Sequence, residues 1–122
     1  MAEYVPVFKP GEDITLNASA AIVGGRLVAV TGANTVAETS GATAAWLGVA
    51  TVDTPSGSKV AITSGGVQEV VASGAITAGA SVIPAAAGRV ADIGAGTNYA
   101  QVVGVALTGG ADGAAVRVRF TR

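Results

Sequence analysis

Near the end of the chain Val116, Val118 and Phe120 alternate with Arg117, Arg119 and Thr121. A period of two puts every second side chain on one face of a strand, here apolar inward and polar outward. Val60 and Ile62 alternate with Ala61 and Thr63 in the same way. Further β-branched runs lie at Leu27–Val30, Trp46–Val52, Val67–Val71 and Gln101–Leu107. Turn formers bound them: Gly24-Gly25, Gly32-Ala33-Asn34, Pro55-Ser56-Gly57, Gly65-Gly66 and Asp112-Gly113. Short strands with turn signals at this density predict an all-β fold, a compact small barrel or sandwich. No long window keeps helical spacing without an interior glycine. The alanine-rich stretches Ala42–Ala45 and Ala85–Ala87 leave room for a short helix at most.

The pattern occurs twice. Trp46-Leu47-Gly48-Val49-Ala50, then Gly57 and Val60-Ala61-Ile62, matches Val102-Val103-Gly104-Val105-Ala106, then Gly113 and Val116-Arg117-Val118. Gly48 and Gly104, Gly57 and Gly113, and Val60 and Val116 are all separated by the same offset, 56 residues. Val36-Ala37-Glu38 matches Val90-Ala91-Asp92 at a slightly different offset. An internal duplication is therefore predicted, with pseudo-repeats at about 24–64 and 78–120 inside one β domain spanning 18–122.

Residues 1–17 differ from the rest. Glu3–Pro10 holds two of the four prolines and the aromatic side chains Tyr4 and Phe8. Proline keeps such a segment extended and unsuited to a central strand. Two outcomes fit: an extended arm that adds to a partner's sheet edge through Tyr4, Val5, Val7 and Phe8, or an edge strand folded back on its own domain. Arg117 and Arg119, projecting from one face of the last strand, face either solvent or an acidic partner. Trp46, the single tryptophan, serves either the core or an interface anchor.

Charge changes the picture most. Charged residues are 12% of the chain, against a typical fraction of about 25%. Spread over the roughly 5,900 Å² expected of a folded monomer of this mass, that is roughly one charge per 390 Å². Mixed surface charge normally keeps soluble monomers apart. Two readings fit a surface this lightly charged: a compact domain of thermostable type with a face rich in Thr, Ser and Asn, or, as expected here, a surface largely covered by copies of the chain or by another protein.

The same composition excludes much chemistry. With no histidine and no cysteine, neither Ser/His/Asp nor Cys/His nucleophile systems can be assembled, and thiolate metal sites are ruled out. The eight acids sit mostly singly beside turns, and the pair Glu12-Asp13 follows Pro10-Gly11 as a solvated turn. Gly94-Ala95-Gly96 lacks a third glycine and a following helix, and Gly109-Gly110-Ala111-Asp112-Gly113 lacks the lysine of a phosphate loop. Lys59 reads as a surface turn lysine, since the flanking residues of carrier-domain lysines are missing. No catalytic residue, cofactor or metal is expected. A net charge of −1 argues against nucleic acid as a partner. Uncharged stretches at 70–88 and 93–111 are broken by Gly, Ser, Thr or Pro, so no membrane partner is expected. Met1-Ala2-Glu3-Tyr4 lacks the basic start of a signal peptide.

Several stretches occur together in a known order: Gly25–Val30, Leu47-Gly48-Val49-Ala50, Val67–Gly74, Ala78-Gly79-Ala80-Ser81-Val82, Ala87-Gly88-Arg89-Val90, and Val103–Leu107 with Val116-Arg117-Val118. From about Gly24 to Phe120 the chain resembles the capsid decoration, or cement, proteins of tailed phages, and more distantly the lambda-type head decoration protein. The resemblance implies a β-rich homotrimer on the capsid exterior, made in the host cytoplasm. It would bind the major capsid protein at local threefold positions after the shell expands, and strengthen it. It carries no catalytic residues. A tail or fibre module, or a bacterial surface β-repeat, also fits the duplication.

Overall fold

Glycine and asparagine turns interrupt the chain often enough that its strands stay at three to six residues. The structure, a computed structural model, describes residues 4–9 and 11–122. Five strands fill the first half: β1 (Ile14–Ala18), β2 (Leu27–Gly32), β3 (Thr35–Glu38), β4 (Trp46–Ala50) and β5 (Lys59–Thr63). They close into a barrel in the order β1-β3-β2-β4-β5. β1 completes it, antiparallel to β5 with Leu16 opposite Val60, and parallel to β3 with Ala18 opposite Val36.

The second half holds β6 (Val67–Val71), β7 (Ser81–Ala85), β8 (Arg89–Asp92), β9 (Gly104–Ala106) and β10 (Ala115–Phe120). Its sheet order, β6-β10-β9-β7-β8, has the same neighbours strand for strand. The outer strands meet at the parallel bridge Ala72–Val90, counterpart of Ala18–Val36. Main-chain hydrogen bonds repeat as well. Gly57 donates to Ala18 as Gly113 does to Ala72, each at 2.8 Å, and Gly25 donates to Ala50 as Gly79 does to Ala106. Bridges Ile22–Thr54 and Ile76–Gly110 also correspond. Matching therefore reaches back to β1 and β6, ahead of where the sequence similarity begins, and β1 includes residues 14–17. The two offsets have a simple cause. The connection from β8 to β9 is longer than that from β3 to β4, and its extra length forms a 3₁₀ turn, Tyr99–Gln101.

Each half has its own apolar interior. Ala18, Ile22, Val28, Val36, Ala50, Val60 and Ile62 fill the first. Val70, Ala72, Ile76, Val82, Val90, Val103, Ala106, Val116, Val118 and Phe120 fill the second. Side chains this small permit a tight curl, and two glycines make it possible. A Cβ on Gly48 would collide with the Thr63 carbonyl, and one on Gly104 with the Arg119 carbonyl, at corresponding positions of the two halves. Glycine inside a strand marks this kind of close backbone approach.

The halves are joined wall to hairpin. Leu27, Trp46 and Val49, on the outside of the first barrel, pack into the second half's cluster. Against this wall lies the β7–β8 hairpin with its 3₁₀ turn, Ala86–Gly88. Thr39 Oγ1 donates to the Ala85 carbonyl at 2.7 Å, the Gly88 amide donates to the Thr39 carbonyl at 3.1 Å, and Arg26 donates to the Ala87 carbonyl.

Substituting Gly48→Ala or Gly104→Ala should lower stability by about 2–3 kcal/mol, the upper range for over-packing against unyielding backbone. Gly41, with nothing within 4 Å of a built Cβ, should tolerate Gly41→Ala within about 1 kcal/mol of wild type. Urea denaturation of the three variants measures the contrast.

Candidate partner-binding surface

The arm residues named from the sequence lie in solvent. Tyr4 is 87% exposed and Val7 86%, with Val5 exposed and Phe8 partly sheltered. Tyr4–Lys9 forms no strand, and the chain turns after it through the Glu12 amide, which donates to the Lys9 carbonyl at 3.0 Å. Asp13, just before β1, accepts a hydrogen bond from Thr63 Oγ1 at 3.0 Å. Tyr4, Val5 and Val7, with little cover, and Phe8, partly sheltered, carry a standing hydration cost, which a partner surface would remove.

On β10 the alternation holds: Val116, Val118 and Phe120 are buried while Arg117 and Arg119 point outward. Arg117 stands opposite Glu69 of β6, its Nε 3.7 Å from Glu69 Oε2, with the two side chains 67% and 61% exposed. A pair this wet contributes little to stability. Arg119 lies between Val67 of β6 and Val105 of β9 in the sheet register. The row Val67, Arg119, Val105 is thus an apolar strip on the outer face with a cation at its centre. Leu107 extends it, and Val105, Leu107, Arg119, Phe120 and Thr121 line a shallow hollow.

Sequence reasoning names Arg117 and Arg119 but misses Val67, Val105 and Leu107. The only available signal is register: once Gly104 and Ala106 are inward, Val105 must face out.

Trp46 is buried. Its ring meets Phe120 edge to face, with centroids 5.8 Å apart and planes at 89°. The Arg122 guanidinium lies 4.2 Å over the indole and donates to the carbonyls of Ala44 at 2.7 Å and Trp46 at 3.2 Å. Trp46 thus pins the first barrel to the last strand of the second half, and is not an exposed anchor. Lys59 opens β5, paired with Asn17 and exposed, rather than standing in the preceding turn. Among the described residues no group of three or more His, Cys, Asp or Glu side chains assembles that could hold a metal.

A closed small barrel joined to a second five-stranded sheet, with apolar side chains open on the outside, defines a small β protein with surface to offer a partner. The comparisons identify which kind. The phage cement protein family matches residues 8–121, and the chain belongs to that family. It is a phage structural protein and a virion component. Among solved structures, the crystal structure of the N base of head fiber gp8.5 from bacteriophage phi29 shares the fold. The two superpose with a TM-score of 0.68 at 18% identity, over 89% of this chain and 92% of that one. A search of curated proteins finds no match.

Truncation of the pin and of the surface pair should differ sharply. Trp46→Ala should cost about 3–5 kcal/mol, as for other buried aromatics. Arg117→Ala should cost less than about 1 kcal/mol. Chemical denaturation followed by circular dichroism reads both.

Proposed function

We propose that this cement protein binds the outer surface of its phage capsid and stabilises the expanded shell as a homotrimer at local threefold positions. Its partners are then the major capsid protein and its own copies. It acts without catalysis or cofactor, is made in the host cytoplasm, and resides on the capsid exterior. The observation carrying this reading is the combination of a lightly charged body with uncovered apolar side chains on the arm and on the β6-β10-β9 face. Family membership supports the assignment to a phage shell. The shared fold with a head fibre base supports a place on the head rather than on the tail.

Tyr4, Val5, Val7 and Phe8 are the proposed capsid grip, since main-chain pairing along an extended segment gives affinity and alternate pockets give specificity. Arg117 and Arg119 are the proposed electrostatic contacts. Arg119 is the stronger of the two, because Arg117 already faces Glu69. A trimer engages the lattice at several points, so weak single contacts combine into firm attachment through effective concentration.

Purified protein should co-sediment with expanded capsids of its own phage and raise the temperature at which they release DNA. Val7→Ser with Phe8→Ser should weaken binding at least about tenfold, or about 1.4 kcal/mol, with the circular dichroism spectrum unchanged. Arg119→Glu should weaken it and reduce its dependence on salt. Capsids that retain no protein, or labelled protein found on tails, would reject the assignment.

A further inference from the structure

The duplication makes the in-chain joint a template for a second one. Its socket is the outer wall of the first barrel: Arg26, Leu27, Thr39 and Val49. Its plug is the hairpin Ala85–Gly88 of the second half. Both parts have a duplicate elsewhere in the same chain.

The duplicate wall is Ala80, Ser81, Ile93 and Val105. The correspondence follows from register: Leu27 pairs with Val49 as Ser81 pairs with Val105. The Thr39 amide donates to the Leu27 carbonyl as the Ile93 amide donates to that of Ser81, both at 3.0 Å. The duplicate hairpin is Thr31–Asn34, between β2 and β3, where Asn34 has φ +55 and its counterpart Gly88 has φ +67. What differs is cover. Val49, packed into the second half's cluster beside the in-chain plug's anchor residues Leu27 and Thr39, is 7% exposed, whereas Val105 is 43% exposed, with Leu107 and Val67 also open beside it. All four residues of the Thr31–Asn34 hairpin are exposed. Each chain thus has one filled socket, one empty socket and one unused plug.

We infer that the empty wall around Val105 receives the Thr31–Asn34 hairpin of a second copy of this chain, repeating between copies the joint made within each. The repeat is not exact in chemistry. Ile93 replaces Thr39, Ala80 replaces Arg26 and Ser81 stands where Leu27 does, so the second joint lacks both side-chain hydrogen bonds. It is also reversible where the covalent joint is not. A contact between two different patches is head-to-tail, and it closes into a ring when the rotation between copies allows. The inference rests on the self-assembly part of the proposed function and names the face that carries it.

The chain has no cysteine, so Ala33→Cys and Val105→Cys place single thiols on two exposed positions. The two variants, purified separately, mixed near millimolar concentration and mildly oxidised, should give a mixed disulfide dimer. Its yield should exceed that of a control pair, Ser56→Cys with Val105→Cys, about tenfold through local concentration. Val105→Glu should reduce the assembled fraction seen by native mass spectrometry to monomer, with the circular dichroism spectrum retained. Trimers that survive Val105→Glu with cross-linking at the control level would overturn this face while leaving self-assembly intact. Protein that stays monomeric near millimolar concentration would overturn the inference altogether. Capsid binding is read separately by co-sedimentation, so the two failures are distinguishable.

Discussion

Everything in this molecule depends on how closely β4 can approach β5, and β9 approach β10. A five-stranded sheet that closes on itself encloses little volume, so its interior must be Val, Ala and Ile, and its curl must be tight. Gly48 and Gly104 permit that curl by leaving the Thr63 and Arg119 carbonyls the space a Cβ would take. The closing contacts, Ala18–Val36 and Ala72–Val90, then bring the outer strands together. With a narrow core and few aromatic residues, neither half has much apolar burial to spare. The wall-to-hairpin joint adds what each lacks, and its largest pieces are Leu27, Trp46 and Phe120.

That joint also explains the uneven surface. On the first barrel Leu27 of β2 and Trp46 and Val49 of β4 are covered by the second half. On the second half the corresponding row is open, and Arg119 rather than a neutral residue stands in it. Of the few cations, Arg119 thus sits among exposed apolar side chains, while Arg26 and Arg122 donate to carbonyls across the joint between the halves.

Much of the fold is legible in the sequence because its signals are local. The alternation Val116–Phe120 and the glycine turns depend on neighbouring residues alone, and the offset of 56 residues repeats without a gap. Ile14–Asn17 is harder to place. Short and adjacent to a proline-bearing segment, it groups with the arm until its pairing with both β3 and β5 is seen. The partner surface is less legible still. Arg117 and Arg119 stand out by charge, whereas Val67 and Val105 look like core residues until register turns them outward. Trp46 leaves two roles open on composition, and only the positions of Phe120 and Arg122 decide between them.

A cryo-electron microscopy reconstruction of expanded capsids with the protein bound tests the account most directly. Two-lobed density on the outer face is expected, with the Tyr4–Phe8 arm running onto the shell and the Val105 wall meeting a neighbouring copy. Density inside the shell or on the tail, or isolated copies with arm and wall both facing solvent, would contradict it.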